Sequence, residues 1–210
     1  MDKILVALAA GQPYDVVVTA YYSRYEESTS GILAPLDDFI ADWDVADKIP
    51  AALWESLKWD GRSYVIPQMS DIRGMAYNKR LFAEAGLDPD TPPQSWQDLV
   101  AYTRRLTRMS EFGDDRVTQR GLNLSGTESG SAQQFFWFLR QAGLPEINVE
   151  TFTSNLGTAE ALRALSTLHE LSQASHFTAP GPSGGMAGGR VAMEMHTPAH
   201  RRDAIKANPD

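Results

Sequence analysis

The stretch Asp71-Ile72-Arg73-Gly74-Met75-Ala76-Tyr77-Asn78-Lys79-Arg80-Leu81-Phe82 decides the fold. Ile72 to Tyr77 reads as a strand. Asn78 then caps a helix with Leu81, Phe82 and Ala85 inward and Gly86 as its stop. Upstream, Asp60-Gly61 is a two-residue hairpin signal between Trp54–Trp59 and a return strand from Arg62 to Ile66, which Pro67 ends. Downstream, Pro89, Pro92 and Pro93 form a connector to Ser95. There Ser95-Trp96-Gln97-Asp98 opens a helix with a capping-box-like start, and Leu99, Tyr102, Thr103, Leu106 and Met109 recur at helical spacing.

The pattern continues toward both ends. Asp2 caps a short amphipathic helix whose apolar side carries Ile4, Leu5, Leu8 and Ala9, with Gly11 as its stop. Asp15 to Ala20 is continuous and β-branched, which predicts a buried strand. Tyr21, Tyr22 and Tyr25 follow at its carboxyl end, where open α/β sheets place ligands. Gly31 to Asp38 is a turn entering a helix through the Asp37-Asp38 pair. In the second half, Gly121 to Ser125 reads as a strand and Ser131 to Ala142 as an aromatic-rich helix closed by Gly143. Ala159 to Leu171 reads as a leucine helix in which Leu162, Leu165, Leu168 and Leu171 sweep about half the circumference at ~100° per residue. A glycine-dense loop over 181–189 leads to a strand from Val191 to His196. Strands alternating with helices predict α/β architecture.

Composition narrows the function. The chain has 210 residues, 42% hydrophobic and 22% charged, as in an ordinary soluble globular protein. Its net charge of −8 and the lack of any Lys/Arg-rich segment argue against nucleic acid as a partner. Without cysteine there is no disulfide and no thiolate metal site. No apolar run approaches the ~20 residues that span a bilayer. The first ten residues superficially resemble an export signal, but their flanks favour the short helix.

Catalytic patterns fail one by one. Gly181-Pro182-Ser183-Gly184-Gly185 fits G-x-S-x-G, but a nucleophile elbow needs a strand feeding a strained turn, and the approach to Ser183 is weak as a strand. His196 and His200 stand four apart with Pro198 between them, which breaks a shared helix face for a metal. The adjacent carboxylates Glu26-Glu27 and Asp37-Asp38 diverge. No catalytic residue, metal or cofactor is expected, and the chain reads as a carrier rather than an enzyme. A serine hydrolase using Ser183 and a ligand-free interaction or sensor module are the alternatives.

Asp71 to Phe82 does not stand alone. Together with Gly61-Arg62-Ser63-Tyr64-Val65-Ile66-Pro67 and Pro92-Pro93-Gln94-Ser95-Trp96-Gln97-Asp98-Leu99, it resembles the signature region of the family 1 extracellular solute-binding proteins. These are the sugar ABC-transporter substrate-binding proteins, among them the maltose-binding proteins. The family pattern is G-K-x-Y-G-L-P, then Y-Y-N-K-D-L-F, then P-x-T-W-D-E-L. Leu8-Ala9-Ala10-Gly11 with Tyr14-Asp15-Val16-Val17 resembles its A-A-G-x-x-P-D-V-V, with Tyr14 where proline is usual. Gly31 to Asp37 resembles G-L-L-x-P-L-D, and Gly188 to Met193 resembles G-K-A-A-M.

The resemblance implies an α/β, periplasmic-binding-protein-like two-lobe fold (type II), incomplete at both ends, with the chain an internal fragment. Residues 1–78 would be part of lobe one running into the hinge strand, and 79–210 part of lobe two. It implies a sugar or oligosaccharide held in the inter-lobe cleft and delivered to the permease subunits of an ABC importer. The implied location is periplasmic or extracellular and membrane-associated. Lobes cut at both ends would leave strand edges and apolar helix faces bare, so the chain alone is expected to associate.

Sugar recognition calls for aromatic faces against the CH-rich side of a pyranose and planar polar groups for its hydroxyls. Tyr21 and Tyr22 can supply the first, Asp71 and Arg73 the second. The resemblance places Asp71 where relatives often have a ligand-binding carboxylate, six residues before the tyrosine. Gln134 and Trp137 sit on the aromatic-rich helix. Thr197 lies where many relatives carry a small-Pro-aromatic turn, although Ala199 stands in the aromatic's place. Packing of Tyr21, an Asp71–Arg73 structural ion pair and core packing of Trp137 remain competing readings.

Overall fold

The computed structural model describes residues 2–19, 24–68, 73–148, 151, 153–196 and 198–207. The chain divides into two compact units, Met1–Asp71 and Ile72–Asp210. Among the described residues, no helix is long and apolar enough to cross a membrane.

In the first unit, α1 (Asp2–Ala9) stops where expected. Gly11 adopts φ 69°, its N–H reaches Leu8 O at 3.0 Å, and Gln12 N–H reaches Ala7 O at 2.9 Å. This Schellman closure satisfies the last carbonyls and needs a left-handed residue, which glycine supplies without a Cβ penalty. The apolar side is not covered, and Leu5 and Leu8 are exposed. Next come α2 (Arg24–Thr29), α3 (Asp37–Ala41), a 3₁₀ turn over Ala46–Lys48 and α4 (Ala51–Leu57). The hairpin is formed by β1 (Lys58–Trp59) and β2 (Arg62–Ser63), with Asp60 at φ 48° and Gly61 at φ 72°. Two positive φ values are what a two-residue turn of primed type requires. Ser63 N–H donates to Asp37 Oδ1 at 3.2 Å and Ser63 O accepts from Leu36 N–H at 2.8 Å, which fastens the hairpin to the start of α3.

Two expectations for this unit are corrected. Residues 16–19 form no strand, and Val16 and Val18 are 85% and 81% exposed. A strand exists only through its partner, and no described segment pairs with this one. The return strand of the hairpin ends at Ser63 rather than Ile66 for the same reason.

The second unit holds the core. Its elements are β3 (Gly74–Tyr77), α5 (Lys79–Glu84), α6 (Trp96–Leu106), β4 (Arg108–Met109), β5 (Val117–Asn123) and α7 (Glu128–Gln141), followed by β6 (Ile147–Asn148), β7 (Thr153–Ser154), α8 (Ala159–Ala174), a 3₁₀ turn over Gly185–Gly188, β8 (Val191–His196) and α9 (Pro198–Ala207). The main sheet has the order β3-β8-β5-β4. β8 runs parallel to β5 and antiparallel to β3, with Met75 opposite Met195 and Leu122 opposite Met193. β6 and β7 form a separate two-stranded ribbon.

Caps set the helix limits. Asn78 Oδ1 accepts from Leu81 N–H at 3.1 Å, and Ser95 Oγ accepts from Asp98 N–H at 3.0 Å. Asp98 returns its carboxylate to Gln94 N–H at 3.2 Å, one residue further out than a capping box places it. Leu81 and Phe82 are buried with Leu99, Leu106, Leu122, Phe138, Leu139, Leu171 and Met193 in one core.

The helix over 96–106 ends before Met109, which is exposed and lies in β4. In α8 the spread of leucines divides between core and solvent: Leu171 is fully buried, whereas Leu162 and Leu165 are 65% and 56% exposed, and Ala161 and Ala164 take the core face. The helix is turned so that its small residues allow close packing. On β5, Arg120 is 6% exposed and donates to the carbonyls of Ser175, His176 and Ala179 at 3.1, 3.2 and 3.1 Å. It thereby ties the end of α8 to the sheet.

Candidate ligand-binding site

The strand directions place several polar groups on one edge of the main sheet. β5 ends at Asn123 and β8 at His196, and the antiparallel β3 begins opposite that end, with Gly74 paired to His196. Open α/β sheets bind ligands at such carboxyl edges. Arg73 enters β3 there. Glu194, on β8, is half-buried. Its Oε1 accepts from Asn123 Nδ2 at 2.6 Å and its Oε2 from Met186 N–H at 3.2 Å. A Cβ on Gly185 would stand 3.0 Å from both carboxylate oxygens, so glycine there lets the loop close onto Glu194.

Beside β3 lies a hollow of about 420 Å³, within the range that small-molecule sites occupy. Arg73, Gln94, Trp96, Trp137, Gln141 and Met195 are among its lining residues. The Arg73 guanidinium carbon is 5.6 Å from the Trp137 ring centroid, a cation–π distance. The Trp96 indole N–H donates to Gln141 Oε1 at 2.8 Å, and its ring lies 5.3 Å from that of Phe138. Trp96 is the first residue of α6, Gln141 the last of α7, so this one bond fixes the mutual position of two helices at the wall.

Of the side chains expected to contact ligand, the structure brings Arg73 and Trp137 together at this hollow. Gln134 sits elsewhere. It is buried, and its Oε1 accepts from Ser125 N–H at 3.1 Å, which fastens the β5–α7 connection. Tyr21, Tyr22, Asp71 and Thr197 lie outside the described residues. Sequence reading missed Asn123, Glu194, Trp96 and Gln141. Trp96 lies inside the signature region, where its position marks only a helix start, and no local pattern links it to Gln141.

The loop around Ser183 lacks a nucleophile elbow. Residues 181–183 form no strand, and the next element is a 3₁₀ turn that begins after Gly184 at φ 84°. Gly185 serves the closure onto Glu194 instead.

Comparison with known proteins places this arrangement. A family model described as bacterial extracellular solute-binding protein matches residues 1–210. A binding protein of Brucella abortus is 27% identical over 164 residues, which are 78% of this chain and 38% of the relative. The maltotriose-binding protein of Pyrococcus abyssi is 29% identical over 98 residues, 47% of this chain and 20% of the relative. Among solved structures, an ABC transporter solute-binding protein of Thermotoga lettingae with α-D-tagatose bound superposes with a TM-score of 0.80 at 25% identity, over 100% of this chain and 54% of its own. The chain thus spans roughly half or less of the length of these relatives.

Proposed function

The chain belongs to the bacterial extracellular solute-binding protein family, and on that premise we propose that the whole protein binds a sugar or oligosaccharide and hands it unaltered to the permease of an ABC importer. Its fold is the α/β, periplasmic-binding-protein-like (type II) fold of the tagatose-bound relative. The proposed setting is the periplasmic or extracellular side of a membrane.

One observation supports the sugar reading beyond family. Two indoles, two carboxamides and a guanidinium meet in a single hollow. Indole faces suit the CH side of a pyranose, and planar amide and guanidinium groups suit its oxygens. Trp137 and Arg73 are proposed as ligand contacts, with Tyr21, Tyr22, Asp71 and Thr197 as further ones. Gln134 is proposed to act by holding the Ser125 loop. A ligand stabilises the state it binds, in proportion to the logarithm of its concentration over Kd.

The test is a sugar panel on the protein expressed at full length, read by thermal shift and tryptophan fluorescence. At a hundredfold excess over Kd, a cognate sugar adds about 2.7 kcal/mol and raises Tm by several degrees. The sugar should be recovered intact. No shift with any sugar, or ester turnover abolished by Ser183→Ala, would overturn the carrier reading.

A further inference from the structure

We propose that the ligand carries an aromatic group on its sugar, as an aryl glycoside does, and that the hollow beside β3 receives the ring. This rests on the reading of the hollow as a ligand site. Every lining residue belongs to the second unit, so the hollow is complete within it. Its chemistry is graded from outside to inside. The polar side chains of the lining, Arg73, Gln94, Ser95 and Gln141, are exposed. Met75, Trp96, Trp137 and Met195 are half-buried, and Leu99 and Phe138 are buried. Met75 and Met195 stand directly opposite each other on β3 and β8, so their side chains leave the same face of the sheet together.

The inner groups offer carbon and sulfur. The Trp96 indole N–H is spent on Gln141, which leaves that ring only apolar surface to present. Arg73 is engaged with the Trp137 ring, so it is part of the wall rather than a free charge. A bare pyranose carries hydroxyls around its whole edge, and those turned inward would face thioethers, leucine and phenylalanine. Moving a hydroxyl from water into such surroundings is unfavourable. An aromatic ring reverses that balance. It buries apolar area against methionine and indole, and thioether sulfur makes favourable contacts with aromatic rings. Indoles add offset or edge-to-face pairing. The sugar then stays at the exposed polar side, where Gln94, Ser95 and Gln141 meet its oxygens.

The experiment is calorimetric titration of the full-length protein with the phenyl, hexyl and methyl β-D-glucosides and the same three β-D-galactosides, repeated on Met75→Gln and Met195→Gln. Phenyl and hexyl groups carry equal numbers of carbons, so their comparison isolates aromatic character. For the sugar that binds, the phenyl glycoside is expected to bind about tenfold tighter than the methyl and about threefold tighter than the hexyl, with a more negative heat-capacity change than the methyl. The preference should fall to within about twofold in each variant, whose Tm without ligand reports folding. Where a variant does not fold, the affinity order and heat-capacity change of the unaltered protein decide. Methyl or hexyl binding as tightly as phenyl, or a phenyl preference unchanged in both variants, overturns this inference and leaves the carrier reading intact. If none of these glycosides binds while another sugar of the wider panel does, this inference alone falls. Silence across all of them overturns both.

Discussion

Arg120 carries a positive charge on a strand interior, and burial draws its guanidinium below the ordinary arginine value. Three backbone carbonyls just beyond the end of α8, those of Ser175, His176 and Ala179, hold it there, near a helix C-terminus whose dipole favours a cation. Arg120→Met keeps the apolar stem but leaves those carbonyls without their donor. It is expected to lower stability by about 2–3 kcal/mol, read as a shift of the urea midpoint at constant m. The same helix end holds His176 at φ 47°. Its N–H reaches Gln173 O at 3.1 Å and Phe177 N–H reaches Ser172 O at 2.9 Å, a Schellman closure with histidine where glycine is usual. His176→Gly should therefore stabilise by about 1 kcal/mol in the same assay. A loss would mean that the imidazole contributes contacts beyond the backbone geometry. Gly11, Gly86 and Gly143 were readable as helix stops because residue type announces the left-handed bend. His176 was not, since nothing local marks a histidine for that conformation. Trp96 and Gln141 escaped for a related reason: they meet across 45 positions of chain, and only the packed helices bring them together.

At the scale of elements, contact between α6 and β5 depends on one missing side chain. A Cβ on Gly121 would lie 2.2 Å from Thr103 O and 2.8 Å from Thr107 Oγ1. Both belong to the last turn of α6 or its cap, and backbone cannot give way there without moving the helix. Gly121→Ala is expected to cost about 3 kcal/mol, more than the roughly 1 kcal/mol of a cap deletion such as Ser95→Ala. Thermal denaturation of the two variants side by side checks the order, and equal losses would contradict the close-approach account. The elements themselves were legible wherever local signals and burial agree, as in the strand–Asn78–helix junction and α6. They were misread where tertiary partners decide. Val16 to Val18 have strand propensity but no described partner.

For the whole molecule, the division into two units has an energetic counterpart. Every buried hydrophobic residue among those described lies in Ile72–Asp210. Local opening is easiest where apolar burial is least. Hydrogen exchange should therefore show amides of α6, β5 and β8 protected to near the global limit, while residues 16–19 and α1 exchange orders of magnitude faster. Uniform protection across both units would contradict this.

The family was legible from several motifs in the right order along the chain, which carry more information together than any one contact does. Of the residues expected at a ligand site, Arg73 and Trp137 line the hollow beside β3, and Gln134 does not. The most direct test of the carrier account is mass-balance titration: one sugar bound per full-length protein at saturation, then released and weighed. The account predicts a single stoichiometric site with the released sugar identical in mass to the one supplied. Loss of the sugar to a product of different mass would contradict it.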